Sequence, residues 1–423
     1  VLVDGDIIGL GSKNISHFKF QSLSSRDSSW KITLPAKKKW TIGRVPDADI
    51  SLSFEPTVSS RHAVLINERE RLRLVDQGSL NGTWVNGRPI RKRFVSEMDT
   101  VLIGSTQFVF RLLPGGDLKV VGREYGDHIK IECVGLTREI NVKHKPPKRI
   151  LDNVTLSISP GELIGILGPS GAGKTSFLKT LCGHTPPTSG CVLYNETPLY
   201  RDYGMFRNAI GYVPQDDILH SALPVEASLY YTSYLRLPKD TPHEERMNRI
   251  DSTLETLGLS HVRKNPIHQL SGGQKKRVSV ASELMTRPSI LFLDEPTAGL
   301  DPSVEERLLR HFRKMTDMGS TILLTTHILY NLNLMDRVII LSHGRLVFLG
   351  TPDEALNFFR KFNPGLSHPN QIFDVLEDVY ASSQEIKATG GETTSARLKE
   401  IAHEYEQLYL KSSDHRQNIT NHL

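Results

Sequence analysis

Cysteine is scarce in this 423-residue sequence: Cys133, Cys182 and Cys191 are the only three, and no C-x-x-C or Cys/His spacing links them. An odd, unspaced set argues against a disulfide framework or a zinc site and fits a reducing cytosol. Long apolar runs are missing too. Stretches such as Leu163 to Leu167 and Val338 to Leu341 fall far short of the roughly 20 residues a bilayer-spanning helix needs, so no membrane span is expected in this piece. Aromatics reach only 7%, and glycine (32) and proline (23) stay below low-complexity levels, which excludes collagen-like, mucin-like and wholly disordered classes. The sequence opens on Val1, with no initiator Met and no signal-peptide pattern. It is expected to be a fragment of something longer.

At roughly 150 residues per domain, the length predicts about three compact units. The formal charge of +5 is unevenly spread: residues 1–113 carry 17 Lys+Arg against 11 Asp+Glu, the remainder 35 against 36. A basic first quarter can attract nucleic acid, anionic lipid or phosphorylated protein, or be a plain solvated surface, and charge alone does not choose. Motifs must decide.

From Phe18 to Leu113 the text reads as many short strands with β-branched and aromatic alternation, interrupted by Gly, Asn, Asp and Pro. That pattern predicts an all-β sandwich over 17–113. The segment Asp6 to Gly11, followed by Phe18-Lys19-Phe20, echoes Asp99 to Gly104, followed by Phe108-Val109-Phe110. Residues 1–16 are therefore either the last hairpin of a truncated preceding module or a lead-in strand. Pro114 to Asp117 opens an expected linker, 114–127. From 128 to about 360, strands alternate with helical stretches, the pattern of an α/β domain with a parallel sheet. A helical lobe is expected to be inserted at about 216–270, and 361–423 reads as a helical linker.

Three segments of the sandwich carry chemistry: Ile42-Gly43-Arg44, Ser59-Ser60-Arg61-His62, and Gly78 to Thr83 followed by Asn86-Gly87. With these pieces in order, the region resembles a forkhead-associated (FHA) domain over about 95 residues. The resemblance implies an 11-stranded sandwich that reads phosphothreonine peptides with loops at one end. A phosphate dianion needs a guanidinium fork with hydroxyl or amide donors, because charge-assisted bonds give both strength and direction. By resemblance, Arg44 and Ser59 hold the phosphate, Ser60 and Arg61 help, Asn81 grips the peptide main chain, and Gly43 and His62 brace the loops. Leu80 departs from the family pattern, standing where many relatives carry Ser or Thr.

The apolar run Leu163 to Leu167 leads into Gly168, Pro169, Ser170, Gly171, Ala172, Gly173, Lys174, Thr175 and Ser176. This is G-x-x-x-x-G-K-T between a strand and a helix, a phosphate-binding loop (P-loop, or Walker A). Glycines let main-chain N–H groups turn inward at a helix N-terminus, Lys174 reaches the β/γ-phosphates, and Thr175 offers a hydroxyl to Mg²⁺. Further on come Ser271-Gly272-Gly273-Gln274, the strand Ile290 to Leu293 ending in Asp294-Glu295, then Asp301 and Thr325-Thr326-His327, with Gln215 in a separate Pro-Gln-Asp-Asp stretch. This ordered set resembles an ATP-binding-cassette (ABC) ATPase over roughly 230 residues.

That resemblance implies ATP and Mg²⁺ as cofactors, with Thr175, Gln215 and Asp294 around the metal. Glu295 polarises the attacking water, His327 links the γ-phosphate to that water, and Ser271 and Gly273 contact ATP held by a second cassette, which implies a homodimer. No aromatic residue lies upstream of the P-loop between His128 and Asn153, so the usual adenine platform is missing. Details such as Arg149 to Thr155, Gln215 to Pro238 and Gly344 to Gly350 look like the G-type half-transporters, whose ATPase precedes the membrane domain on one chain; bacterial relatives with an FHA module in front share the order seen here. The expectation is the cytosolic part of an ABC exporter at the inner membrane, its membrane domain following Leu423, with a phosphothreonine-reading module and no nucleic-acid partner. Two alternatives stay open: a soluble non-transport ABC ATPase, or a signalling adaptor whose cassette only binds nucleotide.

Overall fold

The computed structural model describes residues 7–10, 16–19, 29–124, 129–141, 143–144, 146–326, 331–368, 371–372, 393–412, 415 and 418. Two units emerge: Val1–Gly126 together with Leu237–Thr241, and Asp127–Arg236 together with Pro242–Leu423.

In the first unit, β1 (Ile7–Leu10) and β2 (Ser16–Lys19) form an antiparallel sheet of their own. The second strand crosses the expected boundary at 16/17, so the segment at Phe18 pairs within this hairpin and does not open the sandwich. The sandwich begins at β3 (Ser29–Leu34). One sheet holds β4 (Lys39–Gly43), β5 (Ile50–Ser51), β6 (Ala63–Glu68), β7 (Arg71–Asp76) and β10 (Lys92–Val95), in the order β10-β7-β6-β4-β5. The other holds β8 (Thr83–Val85), β9 (Arg88–Ile90), β11 (Val101–Ile103), β12 (Thr106–Leu112) and β13 (Leu118–Glu124) beside β3, in the order β3-β13-β12-β11-β8-β9. Five and six strands make the eleven that the resemblance implied. Alternate residues such as Trp40, Leu65, Leu74, Val101, Phe108 and Phe110 point between the sheets and form the core.

The expected linker 114–127 is corrected by β13, which pairs with β12 and with β3. Leu118 and Val120 alternate into the core, and Gly122 lies beneath the Trp30 ring, where a Cβ would come within 2.3 Å of it. Only the turn at Gly115-Gly116 links β12 to β13, so this stretch closes the sandwich.

In the second unit, β14 (Ile131–Ile140), β15 (Lys148–Ile158), β17 (Ser189–Tyr194) and β18 (Thr197–Pro198) form an antiparallel sheet. A six-stranded sheet has the order β19-β20-β21-β16-β22-β23, with β16 (Leu163–Leu167), β19 (Ile210–Val213), β20 (Ile290–Leu293), β21 (Thr321–Thr325) and β22 (Arg337–Ser342) parallel and β23 (Arg345–Gly350) antiparallel. The central parallel strands β16, β20 and β21 are buried on both faces and read as continuous apolar runs. Helices α1 (Lys174–Leu181), α2 (Tyr203–Phe206), α3 (Val225–Arg236), α4 (His243–Thr256), α5 (Gly272–Leu284), α6 (Pro302–Asp317) and α7 (Pro352–Phe359) follow the chain; α3 and α4 fall within the lobe expected at 216–270.

The expected linker 361–423 is corrected in part. Helix α8 (Thr393–Leu410) packs on β23: Ala402, Tyr405 and Tyr409 lie on one helical face and are buried, and Tyr409 donates its hydroxyl to the Leu349 carbonyl at 2.7 Å. Arg345 of β23 also pairs with Glu406. Residues 373–392 lie outside the described set. No described helix is long and apolar enough to cross a membrane.

Candidate functional site

The carboxyl ends of the parallel strands carry the chemistry, as open α/β sheets require. After β16 the chain turns through Gly168 (φ 147°) and Gly173 (φ 102°), where Cβ atoms would meet the carbonyls of Leu341 and Ile150 at 2.2 and 2.8 Å. Only glycine satisfies both the conformation and the close approach. Gly173 then caps α1, aiming free N–H groups at the loop's concavity. Ser170 and Gly171 are exposed, whereas Pro169, Ala172 and Lys174 are buried. Lys174 donates its ammonium to the Gly168 and Pro169 carbonyls at 2.7 and 3.1 Å. Burial pulls its pKa below the usual lysine value, opposed by the nearby carboxylates of Glu295 and Asp294.

Asp294 follows β20 and is almost fully buried. Its Oδ1 accepts from the hydroxyls of Thr175 (3.0 Å) and Thr325 (2.8 Å), while Oδ2 is buried with no hydrogen-bond partner. A buried carboxylate oxygen left unpaired is costly unless something binds it. Among the described residues no group of three or more His, Cys, Asp or Glu could hold a metal by itself, so a hard cation here would complete its oxygen shell from nucleotide phosphates and water. The donor set of Thr175 and Asp294 fits Mg²⁺ on those terms.

Glu295 is held at φ 50°, in the left-handed region, an uncommon position for a non-glycine residue that costs energy and marks functional sites. Its N–H donates to the Thr325 hydroxyl at 2.8 Å, and its Oε2 accepts from the Gln215 amide at 3.0 Å. Thr325 thus donates to one carboxylate residue and accepts from the main chain of the next. His327 lies outside the described residues.

Ser271 caps α5 in a reciprocal capping box with Gln274. Ser271, Gly272 and Asp301 are exposed; a Cβ on Gly272 would meet nothing, while one on Gly273 would approach the Leu300 side chain at 2.5 Å.

Sequence reasoning missed two participants. Thr325 was visible only as a neighbour of His327. Lys276 sits two residues past the signature on α5 and is buried, donating to the main-chain carbonyls of Pro214 and Gln215, both at 2.7 Å, with Asp217 at 3.7 Å. Burial lowers its pKa, against the pull of Asp217. The available signal was a lysine placed among positions that the helical period turns inward.

In the sandwich, the loops after β4 and before β6 meet. The Arg44 N–H donates to the Ser59 carbonyl at 3.1 Å and its Nε to the Val58 carbonyl at 3.1 Å. Gly43 packs so closely that a Cβ would lie 2.1 Å from the Ser60 carbonyl. His62 is fully buried; Nδ1 accepts from the Ser59 N–H at 3.3 Å and Nε2 donates to the Gly82 carbonyl at 3.1 Å, partners that assign the neutral ring with its proton on Nε2. Burial lowers its pKa, opposed by the Gly82 carbonyl and Asp76. Asn81 is buried and donates to the Thr57 carbonyl at 2.6 Å. The Ser59 hydroxyl accepts from the Leu80 N–H at 3.4 Å, Arg61 is exposed, and Asp76 accepts from the hydroxyls of Ser79 (2.5 Å) and Thr83 (2.7 Å).

A P-loop at the end of one parallel strand, an Asp–Glu pair at the end of another and an inserted helical lobe define a P-loop ATPase fold of the ABC kind. Residues 151–298 match the ABC transporter family model and residues 40–104 the FHA domain model. The chain combines an FHA domain with the ATPase domain of the ABC transporter family. An ABC transporter ATP-binding/permease protein of Mycobacterium tuberculosis is 37% identical over 315 residues, covering 74% of this chain and 36% of that protein. ABC transporter G family member 14 of Arabidopsis thaliana is 35% identical over 242 residues, covering 55% and 37%. Among solved structures, the dimeric structure of a bacterial ABC transporter cassette aligns with a TM-score of 0.50 at 27% identity, over 52% of this chain and 98% of that one. The chain spans little more than a third of the length of the two curated relatives.

Proposed function

We propose that this chain is the ATP-driven part of an ABC exporter whose FHA domain reads phosphothreonine. The observation that carries the ATPase reading is the arrangement at the strand ends: Asp294 with one oxygen tied to Thr175 and Thr325 and the other unpaired, beside a strained Glu295 bonded to Gln215. Thr175 and Asp294 would hold Mg²⁺, which neutralises charge on the transferred phosphoryl group. Lys174 exchanges two loop carbonyls for β/γ-phosphate oxygens. Glu295 accepts a proton from the water that attacks the γ-phosphorus as the bond to the ADP oxygen breaks, and Gln215 orients that carboxylate. His327 supports the same water.

The exposed Ser271-Gly272 edge supports a second cassette completing the site, so that ATP closes a homodimer and hydrolysis opens it. With this chain at the cytoplasmic face of the plasma membrane, a membrane domain joined after it would convert that cycle into transport. In the FHA domain, Arg44, Ser59, Ser60 and Arg61 are assigned to the phosphate and Asn81 to the peptide main chain, which the convergence of their loops supports.

Glu295→Gln tests the chemistry. It should retain ATP binding while phosphate release falls about a hundredfold or more, the range for loss of a general base. Turnover at the parental rate would overturn the assignment.

A further inference from the structure

Leu237–Thr241 lies 111 residues beyond Gly126 in the chain, yet it belongs to the same unit as the sandwich. The segment reads Leu-Pro-Lys-Asp-Thr and is followed by Pro242. It is a turn, closed by the Thr241 N–H donating to the Pro238 carbonyl at 3.0 Å. Asp240 Oδ2 accepts from the Ser60 main-chain N–H at 2.7 Å. Thr241 Oγ1 accepts from Arg44 Nη2 at 3.4 Å, and Thr241 is only 6% exposed. The negative charge of Asp240 is also felt at His62. An acidic group on an amide donor and a threonine on the guanidinium are the elements a phosphothreonine would present to this edge, divided between two neighbouring residues.

We propose that this turn is the resident internal ligand of the phosphate-reading edge, and that a phosphothreonine peptide binds by displacing it. The inference rests on the phosphothreonine reading above. A turn stiffened by Pro238 and Pro242 loses little conformational freedom on docking. A carboxylate carries a single charge against the near-dianion of a phosphate, so the turn is a ligand that the true one can outcompete. Because occupancy of the edge lowers apparent affinity by the fraction of molecules left open, the turn sets the threshold for reading.

The experiment is a fluorescence titration of the full chain with a labelled phosphothreonine peptide, in parallel with D240A, T241V, R44A and E244A. If the turn covers the edge in nine of ten molecules, D240A tightens binding by about tenfold and T241V by less. R44A abolishes it. E244A removes the same charge from an exposed site on α4 and reports the effect of net charge alone. Equal affinity of D240A and the parent, or an equal gain in D240A and E244A, overturns the internal ligand while leaving the phosphothreonine reading intact. No binding by the parent or by D240A overturns both.

Discussion

At the residue scale, the site depends on side chains that hold main chain in place as much as on those assigned to chemistry. Lys276 shows this. Its ammonium bonds two consecutive carbonyls, one belonging to Gln215, and Gln215 in turn holds Glu295. Lys276→Met keeps the length of the side chain and removes its donors, leaving two carbonyls that must find water. We expect kcat to fall tenfold or more with little change in KM for ATP, because the variant disturbs the carboxylate of Glu295 and not the phosphate loop. Lys276→Arg should restore part of kcat. A variant whose KM rises while kcat holds would show that Lys276 serves binding, and wild-type kinetics would show that it positions nothing. The positions of Lys174, Thr175, Asp294 and Glu295 were legible because each sits within a short motif beside a buried strand. Thr325 and Lys276 were not, since their roles depend on atoms 30 and more residues away in sequence.

At the element scale, the loops that precede β6 are braced from beneath by one imidazole. His62 is neutral in the fold, its pKa pulled below the usual histidine value by burial, and its Nδ1 lone pair receives the Ser59 N–H. Protonation would put a hydrogen on the atom that must accept. The unfolded chain takes up that proton at about pH 6.5 and the folded one only at lower pH, so the stabilisation present above pH 6.5 is lost as the pH falls through that window. Thermal unfolding followed by tryptophan fluorescence, with Trp40 in the sandwich core, should show a midpoint that declines as the pH falls below about 6.5, with the decline absent in His62→Gln. A decline that persists in His62→Gln would assign it to another group. Elsewhere at this scale, alternation exposed most strands, but β13 was hidden by the Pro-Gly-Gly turn before it, and its glycine is explained only by the Trp30 ring above. Helix α8 was legible as helical in sequence, while the strand that covers its buried face is some 60 residues earlier.

At the scale of the whole molecule, completion of the ATPase site by a second copy is the central expectation. Gly272 is the place to test it, since a side chain there meets nothing in its own chain. Gly272→Arg should fold and bind ATP as the parent does, yet fail to dimerise with ATP when examined by sedimentation in the Glu295→Gln background, and hydrolyse slowly in the parental background. Dimerisation at the parental level would remove that edge from the interface. The sequence by itself determined the two fold classes, the order of the modules and the motif residues, because strand and helix periods and phosphate loops are written in runs of 5 to 10 residues. Only the tertiary structure decided that 118–124 closes the sandwich, that 393–410 packs on β23, that Lys276 holds the main chain at Gln215, and that Asp240 and Thr241 lie on Ser60 and Arg44. Each of these joins segments distant along the chain, and such a meeting is set by the burial and hydrogen bonding of the folded whole, which leaves no period or motif in the local text.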